Sequence, residues 1–154
     1  MAKKRQIKIC MSKFSMLKAD ILAHPETEFV SIDSDPPSWW KGPSVKSLIP
    51  SQETMKEYYN IRNRTSVYAL TNNEEAKKPL TDLIHRKVLS KTTPEKVLNS
   101  LRRLYPKAES FCLLSSGKPE TTSYRTIVAD WFNGSECAKT NGIFITEIER
   151  KEQY

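Results

Sequence analysis

The sequence predicts an α/β fold: a single sheet of about four to five mostly parallel strands, flanked by helices. Segments 7–12, 28–33, 110–115 and 142–148 are short and carry alternating or continuously apolar patterns, which indicates strands. The segments between them carry apolar residues at helical spacing. Strand and helix signals that alternate along a chain are typical of a sheet with helices packed on its faces.

Length and composition favour one domain over residues 1–154, with a basic tail at 1–6 and a polar tail at 150–154. No apolar run approaches the roughly 18 residues of a membrane-spanning helix, so we expect no membrane partner. Three widely spaced cysteines predict free thiols in a reducing, cytoplasmic setting. Cys10 and Cys112 fall inside apolar strand patterns, which favours buried, inert thiols.

The first strand is predicted by Ile7, Ile9 and Met11, which alternate with polar or small residues. A short helix should follow, ending near His24-Pro25. Its apolar stripe is Phe14, Leu17, Ile21 and Leu22. The β-branched and aromatic content of 28–33 predicts the second strand.

Segment 33–50 is rich in proline and predicts an irregular loop. Trp39 and Trp40 either pin this loop to the core or offer one ring to a planar ligand, with Lys41 available to a phosphate. Because neighbours in an extended segment point in opposite directions, we expect one ring inside and one exposed. Asp33 and Asp35 favour a turn over a ligand contact.

Three helices are predicted before the third strand. Ser51 is a good cap for the first, Asn72 to Glu75 opens the second, and Thr92 or Thr93 caps the third ahead of Pro94. Pro79 threatens to interrupt the second helix. The alternating segment 142–148 then predicts the last strand.

The most informative stretch is 110–134, which predicts a buried strand, a loop and a helix that ends at Asn133-Gly134. In an open α/β sheet, ligands usually bind at the loop after a strand's carboxyl end. The free N–H groups of a first helical turn favour anions there. Hydroxyls and cations of this loop and of the tryptophan loop would complete a ligand-binding site: Ser115, Lys118, Ser123, Tyr124, Arg125, Trp39, Trp40 and Lys41. The alternative is a capped helix with ordinary loop hydroxyls.

Several motifs resemble the domain-of-unknown-function-488 (DUF488) family, in order and over most of the chain. They are Pro36-Pro37-Ser38-Trp39-Trp40-Lys41-Gly42-Pro43, Leu48-Ile49-Pro50-Ser51, Glu57-Tyr58, Val88-Leu89-Ser90-Lys91, Leu113-Leu114-Ser115-Ser116-Gly117-Lys118-Pro119, Ser123-Tyr124-Arg125 and Val128-Ala129-Asp130-Trp131-Phe132. The family typically has Cys where this chain has Ser115, and Cys-His-Arg where it has Ser123-Tyr124-Arg125. The resemblance therefore implies a divergent member in which only the arginine of that triplet remains.

This departure argues against retained catalysis through thiol or metal chemistry. His24 and His85 have no second histidine or cysteine at metal-ligand spacing, and the sequence indicates neither a metal site nor a cofactor. The residues therefore favour binding over catalysis.

The net charge of +7 is compatible with an acidic partner. Three hypotheses follow. The chain binds an anion, a nucleotide or nucleic-acid phosphate at 115–125, weakly and with sensitivity to salt. It acts as an enzyme on such a ligand. Or it is an interaction or inhibitor protein whose pocket is structural.

Overall fold

The computed structural model describes residues 6–64, 74–116 and 124–148. Its strands are β1 (Lys8–Lys13), β2 (Glu28–Ser31), β3 (Ser110–Ser115) and β4 (Thr146–Glu147). They form one sheet in the order β2-β3-β1-β4, and every pairing is parallel. The predicted α/β class is confirmed. The last strand was predicted over 142–148, but only Thr146–Glu147 of that segment pair with the sheet.

Helices connect and cover the strands. The described α-helices are α1 (Leu17–Ala23), α2 (Gln52–Arg64), α3 (Glu74–Lys87), α4 (Pro94–Leu104), α5 (Tyr124–Asn133) and α6 (Glu136–Asn141). Short 3-10 turns lie at Phe14–Met16, Lys46–Leu48 and Leu89–Lys91. Among the described residues, no helix is long and apolar enough to cross a membrane.

The two faces of the sheet carry two cores, as the alternation along its strands requires. Odd-numbered residues of β1 and β3, such as Met11 and Leu113, join the larger core, which also holds the apolar faces of α3, α4 and α5. Even-numbered residues such as Cys112 and Leu114 join a smaller core with Phe14 and Leu17. The larger core therefore lies on the α5 face of the sheet and the smaller core on the α1 face.

The connections that follow the two central strands, β1 and β3, lead to opposite edges of the sheet. After β1 it crosses by α1 to β2 at one edge, and after β3 it crosses by α5 and α6 to β4 at the other edge. These connections lie on opposite faces. The carboxyl ends of β1 and β3 thus flank a topological switch point, where open α/β sheets bind ligands.

Three local predictions need correction. The stripe of α1 was predicted to include Ile21 and Leu22, but these are 46% and 78% exposed, and the polar Asp20 is buried instead. Pro79 lies inside α3 without dividing it. Helix α5 does end at Asn133, but Gly134, the residue expected to turn left-handed there, does not do so. Among the described glycines it is Gly142, with φ 64° at the end of α6, that takes the left-handed conformation. Residues 65–70, whose sequence fits either a strand or an extended connection, lie outside the described residues.

Candidate functional site

Arg125 is the centre of a buried polar group at the carboxyl edge of the sheet. It stands in the first turn of α5, and its side chain is 0% exposed. Its Nε donates a hydrogen bond to Oε1 of Glu147, and its Nη1 donates to the hydroxyl of Ser115 at 3.3 Å. We call Arg125, Ser115 and Glu147 the arginine cluster.

Strand register explains why these residues meet. Ser115 pairs with Lys13 and Glu147 pairs with Met11, so both flank the end of β1 on the α5 face. The guanidinium on α5 therefore spans β1, joining the end of β3 to the end of β4. Because a buried guanidinium keeps its charge, Glu147 balances it electrostatically. Glu147 was not among the predicted site residues.

Tyr124, next to Arg125, ties the start of α5 to the proline-rich loop. Its hydroxyl donates to the backbone carbonyl of Leu48. Burial first, and then the nearby charge of Asp33, raises the pKa of the Tyr124 phenol. Since the Tyr124 hydroxyl is already hydrogen-bonded to Leu48 and is difficult to ionise, Tyr124 is suited to positioning the helix and not to proton transfer.

Asp33 links the ends of β2 and β3. One carboxylate oxygen accepts the backbone N–H of Ser116 at 2.7 Å, and the other accepts that of Asp35 at 2.9 Å. The contact with Asp35 is the turn that the sequence favoured. The contact with Ser116 was not predicted, and it occupies one backbone amide of the loop that the sequence predicted to bind an anion.

A second polar pair lies on the α1 face of the same edge. The hydroxyl of Ser12, at the end of β1, donates to the carboxylate of Asp20 on α1 at 2.6 Å, and both residues are buried. The sequence carried a signal for this pair, because Asp20 continues the Phe14 and Leu17 face at a spacing of three residues. A polar residue on an otherwise apolar helical face indicates a buried partner.

The tryptophan loop behaves as its alternating geometry predicted. Trp39 is 55% exposed, whereas Trp40 is half-buried against the smaller core. Both rings contact Phe14 edge-on, with centroids 6.1 Å and 5.5 Å away. Within the described part of the chain, Nε1 of Trp40 is buried without a hydrogen-bond partner. Lys41 is exposed.

The structure thus brings together Arg125, Ser115 and Tyr124 at the start of α5. Trp39 and Trp40 pack on the α1 face, so the sheet edge separates their rings from the arginine cluster. Ser123 and Lys118 lie outside the described residues.

The charge balance at this edge is mixed. Asp20, Asp33 and Glu147 contribute carboxylates, whereas Arg125 and Lys13 contribute cations. An anion bound here would therefore rely on the backbone amides and the dipole at the start of α5. It would also have to replace Glu147 as the partner of Arg125. In the described ranges, no group of three or more histidine, cysteine, aspartate or glutamate side chains is arranged to hold a metal ion.

Comparison with known proteins adds no relative: no family model, no curated protein and no solved structure matches the chain.

Proposed function

We propose that this protein is a divergent DUF488-like domain that binds a phosphate-bearing ligand, either a nucleotide or the phosphates of a nucleic acid, with little or no catalysis. The family placement depends on the sequence motifs alone. The observation that carries the binding proposal is the position of the arginine cluster. It places the start of α5 at the switch point between β1 and β3.

The physics of the site supports an anion in two ways. The first-turn N–H groups and the dipole of α5 favour negative charge at the end where Arg125 stands. The guanidinium can grip two phosphate oxygens at once, provided that the ligand competes with or joins Glu147. Glu147 then limits the affinity of Arg125 for a phosphate, because its carboxylate already neutralises the guanidinium.

The same contacts argue against strong catalysis. The hydroxyl of Tyr124 is used by Leu48, and the carboxylate of Asp33 is used by two backbone amides. Asp20 is buried and accepts a hydrogen bond from Ser12. A general base needs an available lone pair near the substrate, and these groups already hold structural partners.

Glu147→Gln tests the proposal directly. The amide retains an oxygen for Arg125 but removes the charge, so the guanidinium gains capacity for an external anion. Without ligand, we expect the free energy of unfolding to fall by about 1–3 kcal/mol. Inorganic phosphate and a nucleotide series should then raise the melting temperature of Glu147→Gln more than that of the unaltered protein. Thermal shift at constant ionic strength measures both effects.

The matched control is Glu53→Gln, at an exposed position in the first turn of α2, which removes the same charge outside the cluster. It should change neither the response to phosphate nor, beyond a few tenths of a kcal/mol, the stability. If phosphate and nucleotides stabilise Glu147→Gln no more than Glu53→Gln, the anion site does not exist.

An interaction protein with a structural pocket is the second candidate. The observation in its favour is that Arg125 already has a carboxylate partner within its own chain. Exposed apolar side chains on α1, namely Ile21 and Leu22, and the exposed ring of Trp39 would then offer contact area. On this hypothesis, Glu147→Gln loses stability that no anion restores.

A further inference from the structure

Two of the three cysteines face each other across the central strands, outside the arginine cluster. Cys10 of β1 and Cys112 of β3 are register partners in the parallel sheet. As register partners they extend from the same face of neighbouring strands, and the Cys10 thiol donates a hydrogen bond to the carbonyl oxygen of Phe111 at 3.5 Å. Both thiols are free and belong to the α1 face of the sheet.

The two sulfurs differ in their access to solvent. Cys112 is fully buried, whereas Cys10 is half-buried. Cys10 also lines a cavity of about 500 Å³, whose wall includes His24, Thr27, Ser110 and Thr146. A small polar molecule that enters this cavity therefore meets Cys10 before Cys112.

The environment of Cys112 strengthens this difference. The adjacent Cys10 thiol, burial and the nearby carboxylates of Asp20 and Glu147 raise the pKa of the Cys112 thiol. A thiol with a raised pKa is a poor first nucleophile, because the thiolate is the reactive form. Cys10 is thus the sulfur placed to react first, with Cys112 beside it as the second thiol.

We propose that Cys10 and Cys112 form an oxidation site, at which a small peroxide converts the thiol pair into an intramolecular disulfide. This site is independent of the proposed anion site. Neighbouring strands lie about 4.8 Å apart, within the range that disulfides span between Cα atoms. Only the sulfurs need to approach, because the register already places the two residues side by side on one face of the sheet.

The chemistry balances in two steps. The Cys10 thiolate attacks one peroxide oxygen, so an S–O bond forms, the O–O bond breaks, and the leaving oxygen takes up a proton. The Cys112 sulfur then attacks the Cys10 sulfur, so the S–S bond forms and the S–O bond breaks. The departing hydroxide takes the Cys112 proton and leaves as water. The two thiols lose two electrons and the peroxide gains them. A dithiol reductant reverses the reaction by exchange.

The experiment treats the full chain with hydrogen peroxide and maps the thiols. The native protein should lose two hydrogen atoms in its intact mass, and peptide mapping should show one cross-link, between the peptides that carry Cys10 and Cys112. The oxidised protein should unfold at higher urea concentration, because the bond closes a long loop in the unfolded chain. Dithiothreitol should restore the original midpoint.

Single variants separate this site from general thiol oxidation. Cys112→Ala should stop at a Cys10 sulfenic acid that dimedone labels, whereas Cys10→Ala should leave Cys112 unlabelled. Cys137→Ala, at a buried thiol on α6 in the larger core, should form the disulfide like the native protein. The proposal is overturned if the oxidised native protein keeps three thiols or links Cys137. A mixture of intermolecular dimers overturns it equally. The intact mass and peptide map of the native protein test the proposal even if a variant fails to fold.

Discussion

At the scale of single residues, the sequence identified the members of the arginine cluster that lie close together in the chain. Ser115 and Arg125 belong to one strand-loop-helix unit, so local pattern places them at one end of the sheet. Glu147 was not predicted as a site residue, because its contact with Arg125 depends on strand pairing. An alternating pattern shows which face a residue occupies, but it does not show which strand lies beside it.

The contacts of Arg125 also change what a substitution there should do. An Arg125 that only bound a ligand would make Arg125→Lys weaken binding and leave stability almost unaltered, which is what the sequence alone predicts. The buried guanidinium instead holds Glu147 and Ser115, and an ammonium cannot reproduce both contacts in that geometry. Stability should fall as well, so Arg125→Lys cannot by itself separate binding from folding. Glu147→Gln with added phosphate does separate them.

Gly42 offers a residue-scale test of how the tryptophan loop is packed. A Cβ atom there would lie 2.5 Å from the Trp40 ring, which also contacts Phe14. We expect Gly42→Ala to lower the free energy of unfolding by about 1–3 kcal/mol through overpacking. Urea denaturation measures the loss, and near-ultraviolet circular dichroism should report a displaced indole.

Gly134→Ala is the matched control. A Cβ atom at Gly134 meets its nearest neighbour, the Asp130 carbonyl oxygen, at an ordinary 3.5 Å, and the backbone there is not left-handed. Its stability should change little. Equal losses for the two variants would show that the Trp40 ring moves freely and that the loop is not anchored by it.

At the scale of elements, helix ends were more predictable than helix faces. Thr93, Pro94 and Ser51 were expected at helix starts, and the Thr93 and Ser51 hydroxyls do accept N–H groups of Lys96 and Thr54. A cap depends on neighbours within four residues, which the sequence displays. The buried face of α1 depends on the sheet beneath it, and there Asp20 replaced the expected Ile21 because Ser12 supplies its partner.

Helix α4 allows the value of a cap to be measured. The Thr93 side chain accepts the N–H of Lys96 at 3.2 Å, so Thr93→Ala should reduce the free energy of unfolding by about 1 kcal/mol. Ser100→Ala is the control on the same helix, because the half-buried Ser100 hydroxyl donates to the Lys96 carbonyl and does not cap a helix end. Chemical denaturation of both variants checks the difference. A loss no larger for Thr93→Ala than for Ser100→Ala would contradict the assignment of Thr93 as the cap.

At the scale of the whole molecule, the fold class followed from the sequence, whereas the strand order did not. Four strand patterns separated by helical patterns predict a parallel sheet of some order. Only the packed structure places β3 beside β1 and β4 at the outer edge, and this order creates the switch point. Strand order depends on long-range contacts that no local period encodes.

A nucleic acid with a phosphate at the start of α5 would need further contacts, and the distribution of charge indicates which surfaces could supply them. The net charge is +7, and exposed cations line the two helices α3 and α4 as well as the tryptophan loop. If the helical faces bind, the contacts are to phosphates alone. If the tryptophan loop binds, Trp39 stacks on a base while Lys41 meets a phosphate. These two modes differ in their response to salt.

We expect weak, largely non-specific binding of single-stranded oligonucleotides that falls steeply as salt rises, because each phosphate contact releases counterions. In the loop mode, Trp39→Ala should weaken binding by about 1–3 kcal/mol at every salt concentration. Lys41→Gln should instead reduce the salt slope by about 1. Lys96→Gln, at an exposed position on α4, is the control that should matter only in the helical mode. Fluorescence anisotropy at several salt concentrations supplies the slopes. Absence of binding even at the lowest salt would remove nucleic acid as a ligand. The remaining candidates would be a free nucleotide and a protein partner. Stabilisation of Glu147→Gln by phosphate and nucleotides would favour the nucleotide, and its absence would favour the protein partner.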